Sequence, residues 1–76
     1  MDVKELTVIS GPLGDLRADT VQMRSVLPDE RLTPRLARQA ARLAVGSDSR
    51  VTVWDEVAGI GYRLYKRSAR KLRLEQ

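Results

Sequence analysis

Cysteine, histidine and phenylalanine are all missing from this chain of 76 residues, and its aromatic side chains are limited to Trp54, Tyr62 and Tyr65. Without thiols there is no disulfide framework and no nucleophilic cysteine. Without thiol or imidazole, the usual ligands of zinc and the usual base of serine hydrolases are also gone. The lack of thiols suits a cytoplasmic protein. Long apolar runs are missing too. The stretch near the start is broken by Lys4, Glu5 and Thr7, well short of a signal-peptide core or the roughly 20 residues of a membrane span, so no membrane partner is expected. The core must be built from Val, Leu, Ile, Met and Ala. It must also be small, because a chain of this length buries only about 60% of the surface its unfolded form exposes.

What the chain has in quantity is charge, unevenly placed. Residues 1–56 carry eight basic and nine acidic side chains, a balance of −1, whereas residues 57–76 carry six basic and one acidic, a balance of +5. The whole excess of +4 therefore lies in the last quarter of the chain. Eleven of the fourteen cations are arginine, whose planar fork of donors matches phosphate and carboxylate oxygens.

There is no internal repeat, low-complexity tract or linker, so residues 1–76 read as one small α+β domain. A central helix is the best-marked element. Thr33 is placed to cap it, Pro34 suits its first position, and Gly46 is a natural stop. Between them Leu36, Ala37, Ala40, Leu43 and Ala44 form an apolar stripe, with Arg35, Arg38 and Arg42 on the other side. After a loop at Ser47-Asp48-Ser49, alternation places Val51 and Val53 on one face of a strand and Thr52 and Trp54 on the other. Ala58-Gly59 turns the chain. Residues 60–67 alternate again, Ile60, Tyr62 and Leu64 against Gly61, Arg63, Tyr65 and Arg67. Residues 68–71 make a further turn, and Leu72-Arg73-Leu74 a short last strand. The same tail also has a helical reading, with Tyr62, Tyr65, Ala69 and Leu72 on one edge. Near the start, Leu6-Thr7-Val8-Ile9 reads as a strand and Ser10-Gly11-Pro12-Leu13-Gly14 as a tight turn. Residues 15–27 fit either a second strand or a helix. The expected fold is a small antiparallel sheet with one central helix packed on it, β-β-α-β-β, with room for a further short C-terminal strand.

Catalysis finds little support. The serines have no histidine and no nucleophile elbow. The pairs Asp29-Glu30 and Asp55-Glu56 read as solvated turn and strand-end polarity, and Gly11 to Gly14 lacks the phosphate-loop spacing. Neither an enzyme nor a cofactor or metal site is expected. The tail is the candidate surface. On a strand through residue 67, Arg63, Tyr65 and Arg67 share a face, two guanidinium groups flanking a ring, with Arg70, Lys71 and Arg73 enlarging the positive field. Cations neutralise phosphates and rings stack on bases, so this interleaving suits single-stranded or distorted nucleic acid. Arg35, Arg38 and Arg42 add to it if they lie on the same side of the sheet. Trp54 is either core or an apolar anchor for a protein.

Two fragments resemble pieces of the winged-helix DNA-binding domain of response regulators: Leu32-Thr33-Pro34, like that family's helix entry, and Gly59-Ile60-Gly61-Tyr62-Arg63-Leu64, like the end of its wing. They cover about a quarter of the chain. The dozen or so residues between Gly46 and the second fragment leave no space for a recognition helix, so no groove-reading helix is implied. In size and style the chain also resembles small phage and mobile-element proteins, anti-CRISPR inhibitors among them. The expectation is a non-enzymatic, regulatory binding protein whose basic C-terminal strands engage nucleic acid or a nucleic-acid-binding protein complex. The alternative is an inhibitor or adaptor of a host complex acting by protein–protein contact. A homodimer through an exposed sheet edge is a further expectation.

Overall fold

The computed structural model describes residues 3–47 and 50–74. Five strands and one helix follow in the order β1 (Lys4–Ser10), β2 (Arg17–Met23), α1 (Pro34–Val45), β3 (Thr52–Asp55), β4 (Ile60–Leu64) and β5 (Ala69–Arg73). All neighbouring strands are antiparallel, in the spatial order β2-β1-β3-β4-β5. This is the expected α+β architecture, with the extra C-terminal strand present. Within residues 15–27, Arg17–Met23 is a strand paired in register with β1, and the tail forms the paired strands β4 and β5, so neither segment is helical.

The helix begins and ends where local chemistry dictates. The Thr33 hydroxyl accepts the Leu36 N–H at 3.2 Å. Gly46 closes the helix at φ 73°, its N–H bonded to the Arg42 carbonyl. That left-handed geometry costs glycine little. Ala37, Ala40 and Ala41 are fully buried, and their small side chains let the helix sit close on the sheet. Leu43 does not join the stripe as expected. It is 67% exposed, and Ala41 takes the inward place.

Period-two alternation then divides the sheet into two faces. Leu6, Val8, Val21, Met23, Val51, Val53 and Leu64 form the core beneath the helix, with Val26 and Leu32 closing it from the β2–α1 connection. One ionic contact is sunk in this core. Lys4 and Asp55 are 3% exposed each and pair at 2.6 Å. The Lys4 ammonium also donates to the Pro28 carbonyl, and an Asp55 oxygen accepts the Ala58 N–H. Asp55 is therefore no solvated strand end: its place two residues after Val53 turns it inward. Among the described residues no buried polar side-chain atom lacks a partner, as a stable buried pair requires.

Two expectations for the tail are corrected. β4 ends at Leu64, and the turn falls at residues 65–68, not 68–71. The Tyr65 N–H bonds to the Ser68 carbonyl at 2.8 Å, and from the helix the Arg38 guanidinium donates to the carbonyls of both Tyr65 and Ser68. The Asp48-Ser49 part of the loop expected after the helix lies outside the described residues. Among those residues, no helix is long and apolar enough to cross a membrane.

Candidate nucleic-acid interface

Since the helix covers one side of the sheet, the other side is open, and the register writes two rows of side chains across it. One runs Ala18, Ile9, Thr52, Arg63, Arg70; the other runs Thr20, Thr7, Trp54, Gly61, Leu72. The first row is uncharged towards β2 and cationic towards β5, while the second carries no charge. Arg63 and Arg70 stand directly opposite each other on adjacent strands. Like charges so placed repel, at a cost on the order of half a kcal/mol. Arg63 is oriented by neutral groups: it donates to the Thr52 hydroxyl at 3.3 Å, and its guanidinium carbon lies 6.0 Å from the centre of the Tyr65 ring. Among the described residues neither arginine is paired with an acid; the one ion pair described is Lys4–Asp55.

Trp54 belongs to this open face and is only partly covered. Its six-membered ring occupies the space above Gly61, where an added Cβ would meet ring carbons at 2.6 and 2.7 Å. Glycine at 61 is thus what lets the indole lie over β4. Beyond it, Leu74 is 60% exposed beside Trp54, Ile9, Glu56 and Gly59.

The expected site residues do not form one surface. Arg63 and Arg70 share the open face. Tyr65 and Arg67 fall in the turn at the edge of that face and do not alternate with Arg63 along a strand, although Tyr65 remains against Arg63. Lys71 and Arg73 point to the helix side, opposite Tyr62 and Ile60 in register. Lys71 has its pKa lowered from the ordinary lysine value, first by desolvation and then by the positive charges of Arg31 and Arg73. Arg35 and Arg42 are exposed on the outer side of the helix, so the two arginine surfaces do not share one side of the sheet. Arg38 is committed to the β4–β5 turn. The cations on both sides of β5 also serve an ordinary purpose, since charge on an edge strand discourages pairing with other chains.

Sequence reasoning passed over Arg50, Ile9, Leu13 and Leu16. With Thr52 and Arg63 these line a groove of about 530 Å³ between the β1–β2 loop and the open face. The signal available was the alternation of β1, which puts Ile9 on the face away from Leu6 and Val8. Among the described residues there is no group of three or more acidic side chains able to hold a metal ion, histidine and cysteine being absent from the chain. Compared with protein-family models, curated proteins and solved structures, the chain gives no match.

Proposed function

We propose that the protein is a non-enzymatic binding protein that engages nucleic acid through the open face of its sheet. Arg63 and Arg70 contact phosphates, Arg67 adds to the field from the turn, and Tyr65 and Trp54 offer ring surface. One observation carries this reading: two arginines are set opposite each other on a solvent-facing sheet, and neither is neutralised by a described acid. An anion between them would turn mutual repulsion into shared attraction. Lys71, Arg73, Arg35 and Arg42 contribute net charge and long-range attraction, not contacts on this face.

The test uses Trp54, the only tryptophan in the chain, as an intrinsic reporter of the face. Titration with a short oligonucleotide at low salt should change its fluorescence, and affinity should fall steeply as salt rises. The Arg63→Ala/Arg70→Ala variant should reduce the slope of log affinity on log salt by about 1.4–1.8, for two phosphates at about 0.7–0.9 each. No binding at low salt, or an unchanged slope in the double variant, would overturn the proposal.

A second reading draws on the other end of the same face. Trp54 and Leu74 form an apolar cleft beside Glu56, a composition suited to a protein surface. Under that reading the chain docks on a protein complex as an inhibitor or adaptor, and Leu74→Ser weakens capture of the partner after nuclease treatment.

A further inference from the structure

The groove beside Arg63 differs chemically from the rest of the face. Its sheet side is the row Ile9, Thr52, Arg63, which spans about 10 Å at an interstrand spacing of about 4.8 Å. Its loop side presents Leu13, 97% exposed, and Leu16, 59% exposed. Scattered exposed leucines are commonplace, but two on one wall of one groove make an apolar surface that water wets poorly. The loop holds this wall in place. Gly11 takes φ 103°, and a side chain there would strike the Asp15 carbonyl oxygen at 2.4 Å; the Asp15 N–H closes the turn on the Pro12 carbonyl.

Arg50 is the second oddity. It adopts φ 59°, the only described non-glycine residue in the left-handed region. A side chain there costs on the order of 1 kcal/mol relative to glycine. The chain places a guanidinium group, beside Arg63, at a position where glycine would be more comfortable. Strain held at a cationic position on a groove is the pattern of a binding site.

We infer that this groove takes one unpaired base of a nucleic-acid strand, packed between Ile9 and the Leu13–Leu16 wall, with its flanking phosphates on Arg50 and Arg63. The inference rests on the proposed nucleic-acid reading and sharpens it. Charge complementarity selects a phosphate-bearing occupant, the apolar wall selects one with a flat uncharged ring, and a base already paired in a duplex cannot enter. The groove therefore makes the protein prefer single strands and unpaired positions.

The experiment compares three labelled probes by anisotropy: a 12-nucleotide single strand, the same strand with abasic positions, and its duplex. The parent protein should bind the intact strand about tenfold more tightly than the abasic strand, which keeps the phosphates and lacks the rings. Leu13→Ser/Leu16→Ser should lose that preference while keeping the salt slope. Both positions are exposed, so its melting temperature should match the parent. Arg50→Gly should be at least as stable as the parent, yet lower the slope by about 0.7, one phosphate on a single strand. Equal binding of intact and abasic strands overturns the groove and leaves the open-face reading standing. So does a folded Leu13→Ser/Leu16→Ser variant that behaves as the parent. Failure to bind any probe at low salt overturns both.

Discussion

Lys4–Asp55 and Arg63–Arg70 are both meetings of charged side chains across the sheet, and the fold treats them in opposite ways. The first lies under the helix, has opposite signs, and has its remaining bonds completed by the Pro28 carbonyl and the Ala58 N–H. The second lies on the open face and has like signs, its Arg63 oriented by the Thr52 hydroxyl and the Tyr65 ring. Burial leaves no tolerance for an uncompensated charge, so the interior pair is closed. Water reaches the outward pair, Arg70 being exposed and Arg63 half-buried, so a like-charge arrangement survives there at small cost. One contact serves the fold, and under the proposed function the other serves a partner.

The comparison is broken most severely from inside. Asp55→Ala leaves the Lys4 ammonium buried and unpaired and should cost about 3–5 kcal/mol, a large share of the roughly 4–11 kcal/mol available to a domain of this size. Urea unfolding would measure it. Lys4→Met/Asp55→Leu removes both charges and should recover most of that loss, since well-packed apolar replacements of buried pairs are often neutral or better.

Next in size is Gly61→Ala, which places a methyl group against the Trp54 ring and the Val53 carbonyl oxygen. It should cost about 1–3 kcal/mol by overpacking and shift the tryptophan emission as the indole is displaced. Arg38→Ala removes two hydrogen bonds to the carbonyls of the β4–β5 turn and should cost about 1 kcal/mol. Amide exchange should rise at Tyr65, while the helix interior is unaffected. Smallest in stability is Arg70→Glu. It replaces repulsion with attraction opposite Arg63 and should raise stability by about half a kcal/mol. The same change should weaken oligonucleotide binding and lower its salt slope by at least the roughly 0.7–0.9 of one phosphate contact, and that opposition of stability and binding would show that the like-charge pair is kept for a ligand.

The sequence made the helix legible because its signals are local: a capping hydroxyl at Thr33, a proline at the first turn, and a glycine able to reverse φ at Gly46. Alternation also divided β3 and β4 into two faces each, although it left open which face of β3 turned inward. The same rule, carried two residues further, places Lys4 in phase with Leu6 and Val8, and Asp55 in phase with Val51 and Val53. Charge at the end of a strand looks like solvated polarity until the two ends are seen to meet. The β4–β5 turn was illegible for another reason. Residues 65–68 contain no glycine, proline or asparagine, and alternation continues through Arg67 as though the strand did. The reversal there is closed by the Tyr65 N–H on the Ser68 carbonyl and braced by a hydrogen-bonded contact from Arg38, 27 residues away from Tyr65. Leu43 misled because helical spacing alone does not say which way the helix rolls on the sheet; three buried alanines decide it.

By itself the amino-acid order determined the central helix and its limits, the strands at β1 and β3, the placement of net positive charge at the carboxyl end, and the loss of thiol and imidazole chemistry. These follow from backbone preferences and composition, which act within a few residues. Only the tertiary structure decided which cations stand together. Register between strands far apart in the chain sent Arg63 and Arg70 to one side and Lys71 and Arg73 to the other, and the loop after β1 brought Leu13 and Leu16 to Arg50. Side-chain partnership on a sheet is set by hydrogen-bonded pairing across strands, and no pattern along a single strand encodes it.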